Sequence, residues 1–166
     1  MAGDDPLAGI DIEGPIQAEV FVLALTHEGI VLSGPCGAAP WYIETIPSDH
    51  PVDIVTRLVA DVFGEPRLVH STSWRQGPDG VILSFFVVVD PSVAETFDRQ
   101  VVVRHELARS GAVTAPAQID TNAVLEHAVR HLAWLARDDA TVRSRLSDEW
   151  LAGLSDYVEE PFRNLG

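Results

Sequence analysis

The feature that most constrains the fold is one helical segment set between two groups of β-type runs. SDHPVDIVTRLVADVFG, residues 48–64, has apolar residues at helical spacing, a proline suited to the first turn and a glycine suited to the stop. Ser48 or Asp49 can cap its start. Runs typical of strands occupy residues 16–25, 30–34, 41–47, 66–74, 81–89 and 100–106. An all-parallel sheet would need a crossover helix between successive strands, and the chain has too few helical segments for that. The order of elements therefore predicts an α+β fold with a mixed sheet.

The chain closes with helical segments that extend this unit. One helix begins near Asp120, and a further segment repeats apolar residues at helical spacing through Val142, Leu146, Trp150 and Leu154. Residues 1–15, rich in Asp, Gly and Pro, predict a flexible lead-in. We therefore expect one domain over residues 16–138 and a C-terminal helical extension, residues 139–166, packed on the same domain.

The charge of the chain is strongly negative. It has 25 acidic residues against 11 basic ones, all of them arginine, and a formal net charge of −14. Such a charge repels phosphate backbones, so we expect no nucleic-acid partner. A local arginine cluster could still hold a small anionic ligand.

Cysteine content and apolar runs indicate the compartment. The single Cys36 excludes an internal disulfide and fits a reducing cytoplasm. MAGDDPLAG at the N-terminus is acidic and lacks an apolar core, which predicts no signal peptide. The longest apolar run, residues 81–89, is shorter than the ~20 residues of a spanning helix. We therefore expect a cytoplasmic protein with no membrane partner.

The helical segment also carries part of a known motif. Arg57 falls on the arginine of the motif, and Gly64 falls on its late glycine. Asp61 falls on the first glutamate of the motif's glutamate pair, and Asp49 falls on the glutamate before the helix. Trp41 opens the preceding strand, as is usual in the same family. On these residues, and on the order of elements over residues 16–138, the chain resembles the Nudix hydrolases, whose motif is GX5EX7REUXEEXGU with U aliphatic. The resemblance implies an α/β/α sandwich, here extended by C-terminal helices.

The chain departs from this motif at the carboxylates. Leu58 replaces the glutamate beside the arginine, and Val62 replaces the second glutamate of the pair. In Nudix enzymes these glutamates hold divalent cations that bridge the diphosphate and activate water. Mg²⁺ needs several oxygen ligands, and Asp61 alone supplies too few. We expect that pyrophosphohydrolase activity is lost, that no metal or cofactor is bound, and that the chain is a ligand- or protein-binding module.

Two other interpretations stay open. In the first, the chain is an active hydrolase of a nucleoside diphosphate derivative, and displaced carboxylates hold Mg²⁺ or Mn²⁺; the candidates are Glu44, Asp49, Asp61 and Glu65. In the second, the resemblance is accidental and the domain is an unrelated α+β assembly module. Asp61 also has a purely structural interpretation, because Asp53, Arg57 and Asp61 form an i, i+4, i+8 ladder of alternating charge.

A second apolar stripe on the same helix predicts an interface. Ile54, Leu58 and Val62 are four residues apart and lie where the metal-facing stripe of an active enzyme would be. We expect this stripe to be covered, either by the C-terminal segment with Leu146, Trp150 and Leu154 or by a second subunit. The predicted partners are therefore the chain itself, as a homodimer, or another protein.

Aromatic and histidine residues outside the helix give two further candidates. Trp41, Trp74 and Arg75 could line a ligand pocket, with an indole stacking on a base and the guanidinium holding a phosphate. His127 and His131 have the helical spacing of paired zinc ligands, but the sequence offers no third ligand, so no metal site is predicted.

Overall fold

The computed structural model describes residues 15–37, 39–45, 49–102 and 121–157. Its strands are β1 (Ile16–Thr26), β2 (Gly29–Ser33), β3 (Trp41–Thr45), β4 (Leu68–Gln76), β5 (Val81–Val88) and β6 (Arg99–Val101). Its helices are α1 (Pro51–Phe63), α2 (Pro91–Ala94), α3 (Thr121–Asp138), α4 (Ala140–Ser144) and α5 (Asp148–Leu154).

The long strand β1 organises a six-stranded sheet in the order β4-β5-β1-β2-β6. The second half of β1 pairs antiparallel with β2, and its first half pairs antiparallel with β3 along the same edge. Its other edge runs parallel to β5 from Ile16 to Leu23. The sheet is therefore mixed, which confirms the predicted α+β class.

Successive residues of β1 and β5 enter two hydrophobic clusters on opposite faces of the sheet, because strand side chains alternate. On the face that we call the α1 face, Val20, Val22 and Phe85 pack with residues of α1 and α2. On the opposite face, the α3 face, Phe21 and Phe86 pack with residues of α3, α4 and α5. Helices thus cover both faces of the sheet, as predicted.

The helix α1 begins and ends close to its predicted bounds. Its N-cap is His50, whose side chain makes no capping hydrogen bond, so the predicted cap at Asp49 is wrong, and Ser48 lies outside the described residues. Pro51 occupies the first turn, where its missing N–H has no helical partner to lose. Gly64 ends the helix with a φ of 79°, a conformation that favours glycine.

Two short helices replace the single segment predicted after α3. Asp139 and Ser147 cap α4 and α5 through hydrogen bonds from backbone N–H groups to their side chains. Leu146, Trp150 and Leu154 are buried in the cluster of the α3 face. Because α1 lies on the other face of the sheet, the prediction that this segment covers α1 is wrong.

The remaining differences are local. The four-residue helix α2, capped by Asp90, follows β5 and was not predicted. The strand predicted at 100–106 is observed as β6, which begins one residue earlier, at Arg99. Residues 103–106 of the predicted strand lie outside the described ranges, as do residues 1–14 and 158–166. No helix of the described ranges is long and apolar enough to cross a membrane.

Candidate functional site

Three charged side chains lie on the solvent side of α1. Asp53, Arg57 and Asp61 are all exposed, so two of the matched motif positions face water. Asp49, the third, is exposed before the helix begins. Within the described part of the chain no salt bridge joins Arg57 to either aspartate, so the predicted ladder is not closed. These charges are positioned as solvated surface groups.

The apolar stripe on α1 is divided between core and surface. Ile54 is buried in the cluster of the α1 face, with 4% of its surface exposed. Leu58 is half-buried and packs against the same cluster. Val62, one turn later, is 36% exposed. The stripe is therefore partly used for packing on the sheet, and only its C-terminal end is available to a partner.

The carboxylates considered as displaced metal ligands are spread along the solvent-exposed surface. Glu44, Asp49, Asp61 and Glu65 are each exposed. Across the described ranges, no group of three or more His, Cys, Asp or Glu side chains is placed to hold a metal ion. The structure therefore does not bring these four residues together into a cation site.

The predicted pocket of two tryptophans and an arginine is not formed. Trp41 packs against the cluster of the α1 face. Trp74 is 71% exposed on β4, and its chain neighbour Arg75 points to the opposite face, where it bonds to Ser84. Adjacent residues of a strand face opposite sides of a sheet, so Trp74 and Arg75 cannot line one pocket.

Arg75 instead belongs to a polar network on the α3 face, which we call the Glu19 cluster: Glu19, Tyr42, Arg75 and Ser84. Arg75 Nη1 and Nη2 donate to the two oxygens of Glu19, each at 2.7 Å. The Tyr42 hydroxyl donates to Oε1 at 2.8 Å, and the Ser84 hydroxyl donates to Oε2 at 3.0 Å. One side chain from each of β3, β4 and β5 thus converges on a single buried carboxylate of β1.

The hydrogen bonds of the cluster fix its protonation. Burial alone would raise the pKa of Glu19, but the bonds from Arg75 and Tyr42 outweigh it and hold that pKa below its usual value. Burial and the Glu19 carboxylate raise the pKa of Tyr42 to about 12. Glu19 is therefore ionised and Tyr42 keeps its proton at neutral pH. With each oxygen accepting two hydrogen bonds, Glu19 is poorly suited to act as a general base.

No protein-family model and no curated protein matches this chain. What its sites can do is therefore inferred from their own contacts. The charge of Arg75 is neutralised by Glu19, so the cluster does not supply the net positive charge that an anionic ligand would need. Its geometry ties four strands together, and it faces solvent at its rim, where Tyr42 is 49% exposed and the Arg75 side chain 21% exposed.

The sequence carried a signal for this cluster that was missed. Glu19 interrupts the apolar run IQAEVFVLAL, at a position where both faces of the strand are covered. A glutamate is almost never fully buried unless it is paired, so such an interruption predicts a cation on a neighbouring strand. The identity of that cation, Arg75, could not be derived, because β1 and β4 are far apart in sequence.

The histidines of α3 contact the sheet. His131 approaches His70 of β4, with 3.1 Å between their Nε2 atoms. His127 lies one turn earlier, with its ring centroid 6.2 Å from that of His131. His131 thus has an imidazole neighbour that the spacing of His127 and His131 alone did not predict.

Cys36 is exposed in the loop after β2.

Proposed function

We propose that this chain is a binding domain of Nudix-like architecture that has lost metal-dependent pyrophosphohydrolase activity. The observation that carries the proposal is the position of Leu58, where the motif has a glutamate. Leu58 packs against the hydrophobic cluster between α1 and the sheet, so this position serves folding. The proposed location is the cytoplasm, in keeping with the single Cys36.

The carboxylates that remain on α1 support the same conclusion. Asp61 stands alone among the three glutamate positions of the helix motif. Proteins bind Mg²⁺ through carboxylate oxygens in octahedral geometry, with waters filling the remaining positions. One exposed carboxylate cannot displace enough of these waters to hold the ion. A productive diphosphate complex would need further ligands from other elements of the protein.

The surface best suited to binding is the edge strand β4. β4 forms one end of the sheet, and no strand of the described ranges pairs with its outer side. Unpaired N–H and C=O groups on such an edge are a template for another strand. Trp74 adds a large aromatic side chain that is 71% exposed, and tryptophan is enriched at the centres of protein interfaces. We infer that the partner is a protein.

We propose a second copy of this chain as that partner, because the charge of β4 permits it. The sequence of β4, LVHSTSWRQ, has no Asp or Glu, although the whole chain has 25. A basic partner would be attracted to the acidic surface, whereas a second copy with the same net charge would be repelled by it. A strand without carboxylates is the surface on which two copies can meet, through antiparallel pairing of their β4 strands.

Loss of activity is tested by a hydrolysis assay. The chain is incubated with Mg²⁺ or Mn²⁺ and a panel of nucleoside triphosphates, ADP-ribose and dinucleoside polyphosphates. We expect no turnover above a blank without protein. Metal-dependent turnover that disappears in Asp61→Ala would contradict the proposal and favour the hydrolase with displaced carboxylates.

Self-association through β4 is tested by sedimentation velocity over a range of protein concentrations. We expect a concentration-dependent dimer that Trp74→Glu dissociates, because the substitution removes the exposed indole and adds a negative charge to each copy at the shared surface. The matched control is Val101→Glu, which places the same charge at another exposed apolar residue, 37% exposed, on the strand at the other end of the sheet. A monomer at every concentration, or equal loss of dimer in both variants, would refute this surface.

A further inference from the structure

The contact between α3 and β4 is made by two imidazole rings. His70 Nε2 of β4 and His131 Nε2 of α3 are 3.1 Å apart, and the ring centroids are 5.1 Å apart. The two Nε2 atoms are within hydrogen-bond distance, and the ring planes are inclined by 27°. The His70 ring also lies near Phe86 of β5, with centroids 5.4 Å apart. The pair therefore joins the first helix of the α3 face to the edge of the sheet.

The chemistry of imidazole limits which protonation states allow this contact. A neutral imidazole has one donor nitrogen and one acceptor nitrogen, whereas an imidazolium has two donors. Two Nε2 atoms can share a hydrogen bond when one donates and the other accepts, so the pair tolerates at most one imidazolium. With both rings protonated, two N–H groups and two positive charges would meet at hydrogen-bond distance.

We propose that the His70–His131 pair is an acid-sensitive clasp that holds α3 on β4 and is released when both imidazoles are protonated. The clasp goes beyond the proposed binding function and does not depend on it. Its release acts on the α3 face, because α1 and α2 pack on the other side of the sheet and make no part of this contact.

The surroundings of His70 favour its neutral form. Burial lowers the pKa of His70, and the Asp139 carboxylate at the start of α4 opposes this lowering without cancelling it. From α3, the described neighbours of His131 are His127 and Trp134, whose ring centroids lie 6.2 Å and 5.3 Å away. Asp138 accepts a hydrogen bond from the Trp134 indole, and β5 contributes the uncharged Phe86.

The direction of the pH dependence follows from the lowered pKa of His70. A base whose pKa is lower in the folded than in the unfolded state binds fewer protons when folded. The stability supplied by the contact is therefore complete above the ordinary histidine value of 6.5 and is lost as the pH falls through the folded-state pKa. Acidification should loosen α3 first, before the α1 face is affected.

The test is amide hydrogen exchange of the full chain at pH 7.0 and pH 5.0, corrected for the intrinsic exchange rate. In the unmodified protein we expect protection of α3 amides to fall at least ~10-fold at the lower pH, which corresponds to a loss of ~1.4 kcal/mol. Amides of α1 serve as the internal reference and should keep their protection ratio. Unchanged α3 protection at pH 5.0 would overturn the proposal.

Two variants assign the effect to the pair. His70→Gln keeps a side chain that can donate and accept but cannot be protonated, so its α3 protection should become independent of pH. His27→Gln, at an exposed position in the turn after β1, should behave as the unmodified protein does. The same pH-dependent loss in His70→Gln would refute the clasp.

Imidazole NMR of the unmodified protein gives a second readout that needs no variant. We expect the His70 and His131 resonances to titrate in two coupled steps, the second below the ordinary histidine pKa of 6.5 and coincident with the loss of α3 protection. Independent titration of the two rings, with neither below the ordinary value, would overturn the proposal even if His70→Gln fails to fold.

Discussion

Replacing Leu58 by glutamate should destabilise the protein, whereas the same replacement at Val62 should not. Full burial of a leucine side chain contributes ~1.5–3 kcal/mol, so the half-buried Leu58 contributes about half of that. A carboxylate at the rim of the apolar cluster adds a desolvation cost of ~1–2 kcal/mol. The expected loss for Leu58→Glu is therefore ~2–3 kcal/mol, or about 5–10 °C in melting temperature for a domain of this size.

Val62→Glu is the matched control, because it introduces the same charge one turn later at a position that is 36% exposed. Surface substitutions usually change stability by less than ~0.5 kcal/mol, so its melting temperature should move by no more than about 2 °C. Both variants are followed by circular dichroism during heating and by urea unfolding. Equal shifts in the two variants would show that Leu58 does not pack against the sheet as described.

Three further predictions concern the Glu19 cluster and metal dependence. Arg75→Met should lower the free energy of unfolding, measured in urea, by ~2–3 kcal/mol, because it leaves a buried carboxylate without its cation. Adding Glu19→Gln to this variant should restore more than half of the loss. Because the pKa of Glu19 is lowered on folding, its contribution is complete above its usual value of 4.5 and is lost as the pH falls below it. Glu19→Gln should therefore flatten the fall in stability below about pH 4.5, and an unchanged slope would exclude this role. A chelator such as EDTA should leave the melting temperature unchanged, and a drop of several degrees would reveal a structural metal.

Local signals in the sequence predicted the elements well. Gly64 and Pro51 marked the two ends of α1 because each satisfies a backbone requirement that does not depend on the rest of the fold. The turn between β1 and β2 was predicted for the same reason, since Gly29 there adopts a φ of 113°. Signals of this kind are contained within a few residues and can be derived from sequence.

The failures concern where elements lie relative to each other. The apolar spacing of Leu146, Trp150 and Leu154 predicted a buried helical face but could not tell which face of the sheet it would cover. The periodicity of a helix shows which of its sides is apolar, but not which surface that side contacts. The sheet offers two apolar faces, because β1 is buried on both. The assignment to the α1 face was therefore underdetermined, and it was wrong.

The candidate site failed for a reason that the sequence did contain. Trp74 and Arg75 were placed in one pocket although they are neighbours in a strand, and strand neighbours point to opposite faces. The partner of Arg75 was hidden because Glu19 is 56 residues away and meets it only after β5 inserts between β1 and β4. Long-range pairs of this kind need the strand order, which composition and spacing do not provide.

The claim that α1 is a packing helix and not a metal-binding one is tested most directly by titrating the ¹⁵N-labelled protein with Mn²⁺. A paramagnetic ion broadens the amide signals close to wherever it binds. We predict weak broadening spread over the acidic surface and removed by 0.3 M salt, as expected for screened charges. Selective broadening of amides around Asp61 at sub-millimolar Mn²⁺ that survives the salt and vanishes in Asp61→Asn would contradict the claim.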